Sequence, residues 1–310
     1  MKTTLLAARR GRSVTNPQAT QDDTGAHAEP LIRNVSDTAR WVAVYRARET
    51  ERPDALFRDP FARRLAGERG EQIARSKPLG RDNAPFITVR TYLIDEFVRA
   101  EVQRGADMVV NLAAGLDSRP YRMQLPPSLQ WVEVDLPEIL TYKEEILREE
   151  KPVCSLERIR LDLADVSARR RLFADLAARA RRVLLITEGL LIYLTPDAVA
   201  ELAKDLAAPP SFHSWILDLA SPGLLRMAAK RMSRNFSQAA PFKFAPREGP
   251  AFFAPSGWKA VEVQSLLQTL ARLKRLSWWM KLFALLPETE KSRRDRPWSG
   301  VCLLAKEDKP

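Results

Sequence analysis

Cysteine and histidine are nearly absent, with two of each among 310 residues. Cys154 and Cys302 are too few for a disulfide framework and too isolated for a zinc site built on paired thiolates, which suits a reducing cytosol. His27 and His213 stand apart from every motif found below, so neither histidine chemistry nor a metal is expected. The chain has no Gly-x-Ser-x-Gly elbow, no His-Glu-x-x-His pair and no phosphate loop ending in Gly-Lys-Ser, so hydrolase, zinc-protease and nucleoside-triphosphatase readings lack support. No apolar run approaches the ~20 residues of a membrane span. The stretch Leu5 to Ala8 is shorter than a signal-peptide core. A soluble, cytoplasmic protein without a membrane partner is expected.

What is present is enough apolar material, 45% of residues, to bury a full core. The formal charge of +11 invites a nucleic-acid reading. Its distribution argues against one: Arg63-Arg64, Arg169-Arg170-Arg171, Arg181-Arg182 and Arg293-Arg294 fall in separate segments with acidic neighbours, not in one stripe interleaved with aromatics.

Residues 1–30 are polar and without period, which predicts a flexible arm ahead of a single domain at 31–310. Within that domain, residues 31–105 read as a helical cap. Ser36-Asp37 offers a helix start before Ala39, Val42, Ala43 and Ala47, and Phe57 to Ala66 and Val89 to Val102 are two more helices. Residues 106–220 alternate strand and helix, the mark of a parallel sheet covered on both faces. Strands are expected at Met108 to Ala113, Leu129 to Asp135, Arg158 to Leu163, Val183 to Thr187 and His213 to Asp218, with a last one at Gly300 to Ala305. Helices are clearest at Ser167 to Ala180 and at Pro196 to Leu206, the latter capped by Thr195. Residues 221–256 lose the period and read as a lid insertion, and Leu266 to Leu286 reads as one core-packed helix.

The chemistry centres on Asn111-Leu112-Ala113-Ala114-Gly115-Leu116-Asp117-Ser118-Arg119, an apolar strand entering a small-residue turn. Small residues let a ligand approach backbone amides. Asp135 closes the next strand, where a carboxylate can accept both hydroxyls of a ribose. Gly115 is the turn's single glycine, and Asp117 sets a negative charge where a dinucleotide would carry its pyrophosphate. A phosphate-free nucleoside such as S-adenosyl-L-methionine fits better. Asp162 and Glu188 fall at the same predicted sheet edge.

Together with Val132-Glu133-Val134-Asp135-Leu136-Pro137 and Glu188-Gly189-Leu190-Leu191-Ile192-Tyr193-Leu194, that segment resembles the signature blocks of the leucine carboxyl methyltransferase family. Ser36-Asp37-Thr38-Ala39, Arg46-Ala47-Arg48-Glu49 and Asp59-Pro60 add the cap of its bacterial branch, and the resemblance covers about residues 35–305. One departure is Ala113, where many members have glycine. The resemblance implies a Rossmann-like class I α/β fold with a mostly parallel seven-stranded sheet. It also implies Arg90 on the cofactor carboxylate, Gly115 against the methionine part and Asp135 on the ribose. Asp162 and Leu163 would meet the adenine and Glu188 the amino group, with Ala113, Asp117 and Leu136 in the same cofactor set. Tyr193 would border the acceptor pocket; it and Glu188 are the candidates for a catalytic role. The expected reaction is methyl transfer to an oxygen, a carboxylate foremost, of a small-molecule or peptide acceptor. The competing readings are an RNA methyltransferase or nucleic-acid-binding protein, with binding that weakens steeply in salt, and a nicotinamide-dependent oxidoreductase.

Overall fold

The computed structural model describes residues 35–75, 84–232, 241–284 and 296–306, and the arm at 1–30 lies outside them. Seven strands form one sheet: β1 (Met108–Leu112), β2 (Gln130–Asp135), β3 (Ser155–Arg160), β4 (Val183–Thr187), β5 (Phe212–Ala220), β6 (Trp258–Ser265) and β7 (Ser299–Lys306). The order across it is β3-β2-β1-β4-β5-β7-β6. The five strands from β3 to β5 are parallel, while β7 runs antiparallel between β5 and β6.

Ten α-helices accompany the sheet among the described residues: α1 (Val35–Thr50), α2 (Ala62–Arg75), α3 (Ala84–Gln103), α4 (Arg119–Arg122), α5 (Pro137–Ile146), α6 (Val166–Arg179), α7 (Pro196–Ala207), α8 (Pro222–Met232), α9 (Leu266–Arg272) and α10 (Trp278–Ala284). The central strands read as unbroken apolar runs because both their faces are covered. Along β1, Met108, Val110 and Leu112 pack with Phe173 and Leu176 of α6 and Val199 of α7, whereas Val109 packs with Val89, Leu93 and Phe97 of α3. A third buried cluster joins Val44 and Tyr45 of α1 to Leu65 and Ile73 of α2 and to Leu116 and Ile139 beside the sheet edge. The helices ahead of the sheet are thereby fastened to the end where β1 and β2 finish.

Several boundaries differ from the sequence expectation. The third strand begins at Ser155, in register with Gln130, so Leu161 to Leu163 lie beyond the sheet edge. Its half-exposed edge position hides its true limits from a search for apolar runs. The second helix begins at Ala62, because Pro60 holds Asp59 out of the helical region. The stretch expected as one helix from Leu266 is α9 and α10, broken where Lys274 takes a φ of 58°. The strand β6 was not expected; it is an edge strand with a mixed burial pattern. The insertion at 221–256 is partly ordered helix: it contains α8 and a 3-10 helix, Gly249–Ser256, whose Phe253 is buried against Trp215 and Trp258 side chains of the core. Thr195 caps α7 as expected, its side chain accepting from the Ala198 amide. For α6 the cap is Asp165, two residues ahead of the expected start, accepting from the Ala168 amide.

The basic pairs do not assemble. Arg64 pairs with Glu150, Arg169 and Arg170 share Asp205, and Arg181 and Arg182 meet Asp107 and Glu101 respectively. Arg293 and Arg294 lie outside the described residues.

Candidate active site

From β1 the chain winds outward through β2 to β3, then returns to β4 and β5 on the other side, so the crevice outside the carboxyl ends of β1 and β4 is a topological switch point. The turn leaving β1 is held in the left-handed region, with φ of 53° at Ala113 and 51° at Gly115. At Gly115 this needs no side chain, and a Cβ there would stand 3.4 Å from that of Ala39 in α1. The Gly115 amide donates to Asp135 Oδ2 at 2.6 Å, and the Leu136 amide donates to Oδ1 at 2.8 Å. Each carboxylate oxygen keeps a second lone pair. Burial raises the Asp135 pKa above its ordinary value, and those two amides pull it part of the way back.

At Ala113 the left-handed backbone is strained, a cost of about 1–3 kcal/mol for a residue with a Cβ. The Ala113→Gly variant should therefore be more stable by about 1 kcal/mol after the extra chain entropy of glycine is subtracted. Denaturant unfolding reads this directly, and a less stable variant would show that the turn is not strained.

Behind the turn lies a buried ion network that the sequence only partly foretold. Arg119, 1% exposed, donates to Asp95 at 2.7 Å, to Asp117 at 2.7 Å and to Glu188 at 2.9 Å. Arg122 meets both oxygens of Asp95, at 2.7 and 2.8 Å. Arg90 of α3 donates at 3.1 Å to Glu188 and at 3.1 Å to Asp218, whose other oxygen accepts from the Gly189 amide at 2.7 Å. Gly189 itself takes a left-handed φ of 67°, a conformation that favours glycine, and an added Cβ would meet the Arg90 guanidinium only at an ordinary contact distance of 3.5 Å. Burial alone would raise the Asp117 and Glu188 pKa values, but the arginines, Arg119 first, more than reverse this and both are lowered.

These groups border a cavity of about 1230 Å³. Arg90, Ala113, Gly115, Asp117, Asp135, Leu136, Glu188 and Tyr193 all line it. Asp162 and Leu163 do not; Asp162 is exposed and accepts from the Ala164 amide at 2.9 Å. Asp117 differs from expectation in its surroundings, since Asn111 and Arg119 occupy its carboxylate and no open negative charge faces the turn. Asp218 was not singled out from the sequence, although one carboxylate closing the apolar run Trp215 to Leu217 was a usable signal. Arg119 stood in the quoted motif without a role. His213 opens β5 at the end of the sheet opposite the cavity.

The parallel sheet, its antiparallel β7 and the site at the switch point define a class I methyltransferase fold. Solved structures agree on the fold: a duf574 family protein from Streptomyces avermitilis MA-4680 matches over 87% of this chain and 97% of its own, at 14% identity and a TM-score of 0.55. A structure from Thermobifida fusca YX, covered in full by 94% of this chain, gives 14% identity and a TM-score of 0.54. The family model for leucine carboxyl methyltransferase matches residues 39–207. Among sequence relatives, the Streptomyces coelicolor protein named "Putative S-adenosyl-L-methionine-dependent methyltransferase SCO7813" is 35% identical over 72% of this chain and 82% of its own. A Mycobacterium sp. (strain KMS) protein of the same printed description is 31% identical over 79% of this chain and 89% of its own. The chain belongs to the leucine carboxyl methyltransferase family, and is an S-adenosyl-L-methionine-dependent methyltransferase.

Arg90 spends two of its five N–H groups on Glu188 and Asp218, and three are left beside the cavity. Among the described residues no cluster of ligands could hold a metal ion, and no helix is long and apolar enough to cross a membrane.

Proposed function

We propose that the enzyme transfers the methyl group to a carboxylate oxygen of its acceptor, forming a methyl ester. The observation carrying this reading is that the cavity's bases are already spent, apart from Asp135, which the ribose takes up. Both oxygens of Glu188 are bonded to arginines and its pKa is lowered; both oxygens of Asp218 are bonded, one to Arg90 and one to the Gly189 amide. Burial pushes the Tyr193 phenol above its ordinary value, so it stays neutral and serves as cavity wall, packed against Phe242 with ring centroids 5.6 Å apart. No histidine is among the described lining residues. A hydroxyl acceptor calls for a general base. A carboxylate, with an ordinary pKa of about 4, is already ionised near neutrality and has only to be aimed.

In this reading the bound cofactor supplies the electrophilic methyl group. Arg90 binds its carboxylate, Glu188 faces its amino group, Asp135 holds the ribose and Gly115 and Ala113 leave room for the methionine part. Leu136 packs on the adenosine, and Asp162 and Leu163, one step along the same edge, would reach the adenine. Asp117 acts through Arg119, as a positioning group. The cap at 31–105 contributes Arg90 and the core at 106–220 the remainder, inside one domain at 31–310. Two buried thiols, Cys154 and Cys302, and the lack of a membrane-length helix among the described residues support a cytoplasmic setting.

The test supplies radiolabelled cofactor with carboxylic acids and with alcohols and phenols of matching skeleton. Label that mild base releases as methanol, and kcat/KM that is flat from about pH 6 to 8 because the acceptor is ionised throughout, are the expected results. A base-stable methyl group, or a rate climbing with pH across that range, rejects the carboxylate. Parallel titration with NAD should show no binding.

A further inference from the structure

The cavity exceeds the roughly 300–1,000 Å³ usual for one small ligand, and much of its wall is apolar, with Phe86, Leu224, Met227, Phe242, Phe244 and Trp298 among it. A carboxylate entering such surroundings without a counter-charge takes up a proton, and the neutral acid is a poor nucleophile. A cation at that wall, besides the cofactor's sulfonium, keeps a bound acid in its reactive ionised form. Four arginines line the cavity among the described residues. Three are engaged: Arg46 by Asp59 and the Leu116 carbonyl, Arg90 by Glu188 and Asp218, and Arg275 by Glu49 and Asp54.

Arg296 is different. Among the described residues its exposed guanidinium has no hydrogen-bond or ion-pair partner, and its backbone alone is held. The Ser221 hydroxyl donates to the Arg296 carbonyl at 2.7 Å and accepts from the Trp298 amide at 2.9 Å, clamping the chain on both sides of Pro297. Ser299, three residues on, pairs with Ala220 at the carboxyl end of β5. The backbone of Arg296 is thus fixed at the cavity rim beyond β5, with its charge uncommitted.

We propose that Arg296 selects the acceptor: it receives the acid group of a molecule whose large hydrocarbon or aryl body lies against the apolar wall. This rests on the carboxylate reading above. The intact chain, loaded with S-adenosylhomocysteine, is titrated with decanoate and 4-phenylbenzoate, with the neutral counterparts decanol and 4-phenylbenzyl alcohol, and with acetate. At least one long acid should bind more tightly than its alcohol and than acetate. Arg296→Gln should weaken that acid about 10-fold or more, the worth of one charge-assisted hydrogen bond, while binding of the alcohol and of S-adenosylhomocysteine is unchanged. Arg296→Lys should restore part of the loss. Equal loss for acid and alcohol, an unaltered acid affinity in Arg296→Gln, or binding by neither long acid overturns the proposal. An acid bound through Arg296 but not methylated when S-adenosylmethionine replaces the product upholds Arg296 and rejects ester formation instead.

Discussion

Replacing Asp135 by alanine should weaken S-adenosylmethionine binding by about 100-fold or more while the far-ultraviolet circular dichroism stays that of the parent. Two hydrogen bonds from ribose hydroxyls to a charged acceptor are each worth about 1.5–3 kcal/mol, and both are lost together. The variant also frees the Gly115 amide, now bonded to Oδ2 at 2.6 Å, so the turn proposed to receive the methionine part loses its tether. Asp135→Asn, which keeps one acceptor, should fall between the two. Wild-type affinity should decline on acidification too, and at a higher pH than for a free aspartate, because burial raises this carboxyl. Calorimetric titration showing full affinity in the alanine variant would remove the ribose assignment.

Substituting Arg119 by methionine should cost about 3–5 kcal/mol of stability, the usual penalty for taking one partner from a buried ion network. Asp95, Asp117 and Glu188 would each lose a bond of 2.7–2.9 Å. The three carboxyls have lowered pKa values against the pull of burial, Asp95 through Arg122 and Arg119, Asp117 chiefly through Arg119, and Glu188 through Arg119 and Arg90. Their contribution is complete above the unfolded-state pKa of about 4 and is lost as pH falls below it toward the lower folded-state values. Wild type should therefore lose stability below about pH 4, and the Arg119→Met variant should have a shallower acid limb because only the pairs with Arg122 and Arg90 remain to hold the carboxyls low. A change smaller than about 1 kcal/mol in thermal or denaturant unfolding would show that the network contributes little.

The order of elements and the switch point were legible from the chain, because β1 and β4 are buried on both faces and so appear as unbroken apolar runs. So was the pairing of Gly115 with Asp135, since a strand, a small-residue turn and an acid closing the next strand are local signals that register alone brings together. What was hidden is non-local. Edge strands such as β3 and β6 carry half-exposed patterns, and their limits are set by which neighbour they pair with. The links from Arg119 to Asp95 and from Arg90 to Asp218 span 24 and 128 residues, and nothing at either end marks its partner. Asp117 illustrates the same limit: its presence was read correctly, but its neutralisation by Arg119 depends on a fold-level geometry.

The position of β7 between β5 and β6 carries a consequence for synthesis. Until Ser299 to Lys306 have been made, β5 keeps a bare hydrogen-bonding edge and β6 has no neighbour, and Trp298 to Gly300 cannot complete the cavity wall. A chain leaving the ribosome thus carries its cofactor groups early and an open, adhesive sheet margin late. Closure of the cavity wall therefore waits on β7, made after the other six strands.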